Sequence, residues 1–411
     1  MKILIWSQYF WPENFRINDL AASLQQSGMQ VTVLTGKPNY PDGTVFPGYK
    51  ADGILRERYL GVQVVRLPLV PRGNGTPLRL AFNYLSFILS SYILAPFILR
   101  RCKYDVIFVY ALSPLLQALP AVLIARLKRA PLVIWVQDLW PESLTAIGLT
   151  EKRWVVRVME ALVRYIYRKA NFILIQSEGF REPVGRLAND PKKILYFPNT
   201  APLAPDCCIT NSEVISQLQS CFSVVFAGNV GKAQSLETIL DAADLLRMKR
   251  NIRIFIIGSG SREAWLAKEI DRRKLPNIVL IGRLPYASMQ AILEAASALL
   301  VTLVASPALS QTIPSKLQAY LAAGRPVIAS LNGEGATIVR AARAGFACPA
   351  EDAEALTAAM LKLYSLSPSQ RNLLGSNGRS YFEEHFESSK SLKKIVELFL
   401  SISGQGAEES R

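Results

Sequence analysis

The chain of 411 residues is poor in the residues that hold metals and cross-links. Histidine occurs once, at His385, and the five cysteines, Cys102, Cys207, Cys208, Cys221 and Cys348, form no Cys-x-x-Cys pair. That scarcity argues against a zinc site and a disulfide framework, and it fits a reducing compartment such as the cytosol. Glycine and proline stand at 24 each without repeats or homopolymer tracts, which excludes collagen-like and low-complexity chains. The opening MKILIW carries too short an apolar stretch before Ser7 and Gln8 for a secretory signal, so none is expected. Acidic residues are in deficit, 32 against 47 Lys and Arg, a formal charge of +15. Residues 1–205 hold 25 basic and 13 acidic side chains, net +12, against 22 and 19, net +3, in residues 206–411. A basic half joined to a near-neutral half points to a polyanionic partner for the first half, whether membrane surface, nucleic acid or phosphorylated substrate.

What the chain has in abundance is short β-branched runs alternating with helical patterns, the signature of parallel sheets built from βαβ units. Strands are expected at residues 2–6, 31–35, 62–67, 106–110, 132–136, 172–175 and 194–197, and again at 223–227, 253–257, 278–281, 299–303 and 326–329. Between the two sets, Pro198, Pro202 and Pro205 interrupt any helix or central strand. The reading is two Rossmann-like, doubly wound α/β domains facing a cleft. Residues 1–200 and 213–387 form the domains, 201–212 the linker and 388–411 a C-terminal amphipathic helix, its polar tail from Gly404 disordered. Ligands in such sheets bind beyond the carboxyl ends of the strands.

Four loops at such positions carry candidate chemistry. Gly228-Asn229-Val230-Gly231-Lys232 follows the first strand of the second domain, and its glycines, its cation and the helix start near Ser235 suit a phosphate. Pro314-Ser315-Lys316 opens a helix that Gly324 ends, and a lysine in a first turn opposes the positive helix end unless an anion sits there. In the first domain, Trp11-Pro12-Glu13-Asn14-Phe15-Arg16 and Asp138-Leu139-Trp140-Pro141-Glu142-Ser143 mirror each other: aromatics to stack on sugar or lipid, carboxylates to accept hydroxyls or to serve as helix caps. Gly258-Ser259-Gly260 lacks the third glycine of a dinucleotide fingerprint, since Glu263 stands there, which weakens NAD or FAD binding. Leu80–Leu99 carries no charge over 20 residues, and the alternatives are a buried or half-buried helix and an interfacial membrane helix. Arg153, Arg157, Arg164 and Arg168 form a basic stripe on the next long helix, suited to acidic lipid or to solvent.

Taken in order, Tyr9–Glu13, Gln137–Ser143, Phe197–Asn199, Phe226–Asn229, Pro314–Lys316 and Ala322–Pro326 resemble glycosyltransferase family 4 of the GT-B fold, above all its bacterial colanic-acid and O-antigen polysaccharide enzymes. The resemblance implies a retaining transfer from a nucleotide-sugar donor, UDP-linked in preference to GDP-linked, with no cofactor and no obligatory metal. Donor contacts would fall on Gly228, Asn229, Gly231, Lys232, Ser315, Lys316 and Gln318, and acceptor contacts on Trp11, Glu13, Asn14, Arg16, Trp140 and Glu142. Asp138 would orient or deprotonate the acceptor hydroxyl and Lys316 would stabilise the leaving diphosphate. The acceptor would be a lipid-linked glycan, reached from the cytoplasmic side of the plasma membrane by docking on its anionic surface, with no nucleic acid bound. The chain departs from the family pattern at Asn229 and Ser235, where an Arg and a Lys are common. It departs again at Ser310 and Gln318, which take the places of two glutamates, and it lacks the acceptor-domain histidine. Those departures keep a rival open, a non-catalytic GT-B-like binding or scaffold subunit.

Overall fold

The computed structural model describes residues 1–142, 152–201 and 212–408. Residues 202–211, which hold most of the expected linker, lie outside the described residues, as does Ser143. The chain divides into two compact units, Met1–Pro198 joined by the segment from Ser389 onward, and Asn199–Ser388.

The first unit is built on β1 (Lys2–Trp6), β2 (Gln30–Gly36), β3 (Leu55–Tyr59), β4 (Val62–Leu67), β5 (Val106–Ala111), β6 (Leu132–Val136), β7 (Phe172–Ile175) and β8 (Ile194–Tyr196). They lie in the order β3-β4-β2-β1-β5-β6-β7-β8 and are parallel except for the antiparallel edge strand β3. The second unit has β9 (Phe222–Ala227), β10 (Ile252–Ile257), β11 (Ile278–Gly282), β12 (Ala298–Thr302), β13 (Val327–Ser330) and β14 (Gly345–Cys348), all parallel, in the order β11-β10-β9-β12-β13-β14. Helices cover both faces of each sheet, which is why the central strands read as unbroken apolar runs such as Val-Ile-Phe-Val-Tyr-Ala in β5, buried throughout. Two doubly wound parallel sheets are the architecture expected from the sequence.

Twelve of the fourteen strands coincide with expected runs to within a residue or so at the ends. β3 and β14 were not expected, and both are edge strands. The sequence of β3, Leu-Arg-Glu-Arg-Tyr, carries three consecutive charges and alternates half-buried with exposed residues because only one of its faces is covered, and β14 is only four residues long.

Strand order reverses at β1 in the first sheet, which is flanked by β2 and β5, and at β9 in the second, flanked by β10 and β12. These are the switch points at which the following loops splay apart and leave a crevice. The loops after β1 and β9 are the ones singled out by composition.

The C-terminal helix, Ser388–Glu408, returns to the first unit. Ile395, Phe399 and Ile402 are buried in that unit's core, with Phe399 edge-on to Phe108 of β5 at 5.4 Å. The helix continues through Gly404 to Glu408, so the disordered tail expected from Gly404 is corrected over that stretch.

Candidate functional site

In the second unit the loop after β9 is shaped by close backbone approach. Gly228 has φ +139°, and a Cβ there would come within 3.3 Å of the Lys316 side chain. A Cβ on Gly258 would strike the Gly228 carbonyl at 1.9 Å, and one on Gly260 the Val230 carbonyl at 2.4 Å. The Gly-Ser-Gly that superficially suggests a dinucleotide loop thus exists so that the loop after β10 can underlie the loop after β9. The backbones are joined there by Val230 N–H donating to the Ser259 carbonyl at 3.0 Å.

Lys316, in the first turn of helix Ser315–Ala322, reaches over this turn. Its ammonium lies 3.7 Å from the centre of the Phe226 ring, is buried, and has no hydrogen-bond partner among the described residues. Burial lowers its pKa from 10.5 to about 7. One turn along the same helix, the Tyr320 hydroxyl accepts the Ala227 N–H at 2.8 Å and donates to the Ala227 carbonyl at 3.1 Å. This clamp fixes the helix to the end of β9 and so sets Lys316 over Gly228. No local signal in the sequence marks Tyr320, apart from its spacing of four from Lys316, which places both on one helix face.

Ser315 and Lys232 are exposed, and Lys232 makes no ion pair among the described residues. Asn229 is exposed and donates from Nδ2 to Gln234 Oε1 at 3.4 Å, and Gly231 is buried beneath it. Helix Leu236–Leu245 starts after Ser235 in the left-handed region (φ 46°) and has no side-chain N-cap, as helix Ser315–Ala322 has none. Gln318 corrects an expectation. It is 0% exposed, on the inward face of its helix, and neither end of its amide has a partner among the described residues. Such a side chain does not present itself to a ribose.

In the first unit the expected acceptor residues divide sharply. Glu13 is buried and saturated: Oε1 accepts the N–H groups of Asn39 and Tyr40, both at 2.8 Å, and Oε2 accepts that of Phe10 at 3.2 Å. Burial raises its pKa from 4.5 to about 7 against the pull of those three bonds. Trp11 stacks on Tyr59 at 5.1 Å, and its carbonyl accepts from the buried Arg66. Trp140 is buried, and its indole N–H donates to Ser113 Oγ at 3.0 Å. Glu142 pairs with Arg186 at 3.7 Å. Glu13 thus holds the loops together and is corrected from ligand contact to scaffold, while Trp11 and Glu142 are half-buried. Asn14 is exposed and Arg16 half-buried at the start of helix Arg16–Gln26.

Asp138 retains a binding face. Its Oδ2 accepts from Ser113 N at 3.0 Å and Oγ at 2.9 Å, while Oδ1 has no hydrogen bond among the described residues. Burial lifts its pKa above the usual carboxylate range, opposed by the Ser113 bonds. An aromatic cluster is present that joins Tyr9 and Phe15 of this loop to Tyr40 and Arg72, which the sequence did not single out. Tyr9 stacks with Phe15 at 5.3 Å, Phe15 meets Tyr40 at 5.3 Å, and Arg72 lies 5.0 Å over the Tyr40 ring while donating to the Tyr9 hydroxyl at 3.1 Å.

Helix Pro77–Ile98 is half-buried. Asn83 and Phe87 are sealed in the unit, the Asn83 amide accepting from Gln8 at 2.8 Å and donating to the Val70 carbonyl at 2.7 Å. The opposite face presents Leu78, Phe82, Leu85, Leu89, Ile93 and Phe97, each 52–73% exposed. Their spacing of three to four residues makes one continuous apolar stripe. Beside it a groove of about 470 Å³ is lined by Ala81, Leu85 and Ile88 of this helix, by Trp154 and Met159 of helix Arg153–Lys169, and by Trp140.

Residues 14–200 match the glycosyl transferase 4-like domain and residues 221–365 the glycosyl transferases group 1 domain, one in each unit. The chain therefore belongs to the family 4 glycosyltransferases of the GT-B fold. Among its relatives is the Escherichia coli (strain K12) protein named as colanic acid biosynthesis glycosyl transferase WcaI, 28% identical over 79% of this chain and 82% of the relative. Another is the glycosyltransferase named WbjE of Pseudomonas aeruginosa, 24% identical over the same shares. Solved structures of the same fold include Anabaena HepE in complex with UDP, TM-score 0.67 at 13% identity, covering 98% of this chain and all of that one. Sucrose-phosphate synthase of Thermosynechococcus elongatus has a TM-score of 0.73 at 14% identity, with the same coverage.

Proposed function

We propose that this glycosyltransferase is a retaining enzyme of surface-polysaccharide assembly, moving a sugar from a nucleotide-sugar donor to a lipid-linked glycan at the cytoplasmic face of the plasma membrane. The assembly role draws support from relatives named for colanic acid and O-antigen chain synthesis. A UDP-linked donor draws support from neighbours of the fold solved with UDP and UDP-glucose.

The observation that carries the acceptor reading is the wall shared by groove and carboxylate. Trp140 lines the apolar groove with one side and, through its indole N–H, holds the same Ser113 hydroxyl that fixes Asp138. A lipid chain seated in the groove brings the first sugars of its glycan to Asp138. The exposed stripe of helix Pro77–Ile98, with Trp154 in the groove beside it, and the exposed Arg153, Arg157 and Arg168 of helix Arg153–Lys169 offer the chemistry of an interfacial surface on an anionic bilayer.

Chemically, Asp138 Oδ1 accepts the acceptor hydroxyl and aims its oxygen. As that oxygen bonds to the anomeric carbon on the face from which the diphosphate leaves, the hydroxyl turns its hydrogen from Oδ1 to a diphosphate oxygen, which takes the proton. Lys316, Lys232 and the uncapped starts of helices Leu236–Leu245 and Ser315–Ala322 take up the negative charge that develops, with no obligatory metal. Asp138 is thus an orienter whose proton balance does not depend on its own basicity.

The test is transfer from UDP- and GDP-sugars to polyprenyl-diphosphate-linked and to soluble oligosaccharides. Lipid-linked acceptors are expected to be used and soluble ones not, and Asp138→Asn is expected to lose transfer while retaining slow donor hydrolysis. Equal use of both acceptor types, or full transfer by Asp138→Asn, overturns the reading.

A further inference from the structure

A second concavity lies at the other end of helix Pro77–Ile98, away from the loops at the switch point. On edge strand β3, Arg56 is paired with Val65 and Arg58 with Gln63, and Gln63 is paired in turn with Thr32 of β2. Alternation along the strand puts Arg56 and Arg58 on one face of the sheet, while Leu55, Glu57 and Tyr59 turn to the other. The chain leaving the apolar helix passes over the arginine face. Phe97, Arg100 and Arg101 close a cavity of about 860 Å³ against Arg56, Arg58 and Thr32.

Charge and polarity in this cavity are unbalanced. All four arginines are exposed, and none forms an ion pair among the described residues. The one carboxylate touching the cavity, Glu57, is engaged by the buried Arg66 and by the Tyr49 hydroxyl. Guanidinium groups that line one cavity without counter-charge repel one another, and an anion held between them removes that repulsion. Edge-strand charges that only discourage sheet pairing have no reason to face a second pair of arginines. The other wall is apolar: Phe97 is 70% exposed and ends the stripe that runs back along the helix to Leu78. A ligand that satisfies both walls has a phosphate at one end and hydrocarbon at the other.

We propose that this cavity binds the headgroup of an anionic membrane phospholipid, its phosphate held by Arg56, Arg58, Arg100 and Arg101 and its acyl chains lying along Phe97. This rests on the reading that the helix face docks on a membrane, and it adds a defined lipid site to general attraction by the surface.

The experiment titrates the full chain with a short-chain phosphatidylglycerol below its micelle concentration, in parallel with flotation on phosphatidylcholine vesicles with and without phosphatidylglycerol. Saturable binding of the monomeric lipid is expected, weakened at least tenfold in Arg56→Ala/Arg58→Ala and in Arg100→Ala/Arg101→Ala, with Arg→Gln versions and intact UDP affinity controlling for folding. A charge-matched Lys249→Ala/Arg250→Ala control in the second unit is expected to bind as the unaltered protein does. Vesicle binding without saturable uptake of the monomer overturns the site and leaves docking standing. Saturable monomer binding without flotation supports the site and removes the docking reading. Competition by inorganic phosphate at the lipid's own affinity, or an equal loss in the control, overturns the proposal.

Discussion

On the proposed donor reading, Lys316 is expected to make donor binding a protonation event. Its ammonium is buried without a partner, so the free protein holds its proton only up to about pH 7, whereas a diphosphate placed beside it restores the charged form. Above pH 7 binding must therefore take up a proton. Affinity for a nucleotide sugar, whose diphosphate diester does not itself titrate near neutrality, is expected to fall about tenfold per pH unit. The fall ends where the contact is lost altogether, and a charge-assisted hydrogen bond of roughly 1.5–3 kcal/mol sets that limit at about ten- to a hundredfold. Lys316→Met is expected to show the weak affinity at every pH. The same linkage acts on the free fold with a definite sign. The folded state binds this proton more weakly than the unfolded chain, so the lysine destabilises the fold fully below about pH 7. That penalty, on the order of 5 kcal/mol at most, fades as pH rises from about 7 towards 10.5. Calorimetric titration with UDP-glucose in two buffers of different ionisation enthalpy is the assay. Uptake of roughly half a proton or more per site is expected near pH 8 and close to none at pH 5.5. Equal affinity from pH 6 to 9 with no proton uptake refutes the placement of the diphosphate on Lys316.

Two further substitutions separate holding from binding. Tyr320→Phe strands both the N–H and the carbonyl of Ala227, and an expected loss of roughly 1–3 kcal/mol should appear in thermal unfolding, with a smaller loss of UDP affinity than in Lys316→Met. Gln318→Met removes a fully buried amide with neither end paired, so the melting temperature is expected to rise and UDP affinity to hold. A fall in affinity there without a loss of stability would return Gln318 to the donor site.

The central strands were legible because a parallel strand covered on both faces must be apolar throughout, a property carried by consecutive residues. β3 and β14 escaped because an edge strand is covered on one side only, and Leu-Arg-Glu-Arg-Tyr is as compatible with a loop as with a strand. The glycine turn and Lys316 were legible for a local reason too, since glycines after a strand and a lysine in a first helical turn each contradict the preference of their own surroundings. Tyr320 was not, because its partner Ala227 lies 93 residues away. The joining of Tyr9 and Phe15 to Tyr40 and Arg72 escaped likewise, being gathered from three loops. Glu13 was read as a ligand contact because composition shows which groups are available at a loop and says nothing of which way they turn.

Glu13 and Lys316 show what decides that direction. Each is a charged side chain sunk beside a switch-point loop, and burial shifts each pKa to about 7. Glu13 meets three backbone N–H groups within 3.2 Å, so its charge is spent inside the protein, joining the loop after β1 to the loop after β2. Lys316 meets an aromatic face and no acceptor, although its neighbour Tyr320 has both donor and acceptor satisfied on the same strand end. A fold able to pair Tyr320 twice and Glu13 three times did not lack the means to pair Lys316. An ammonium left desolvated and unpaired is a standing cost to the folded state, and it is offset only by a ligand that brings the missing negative charge. On the proposed donor reading, that ligand is the diphosphate of the nucleotide sugar.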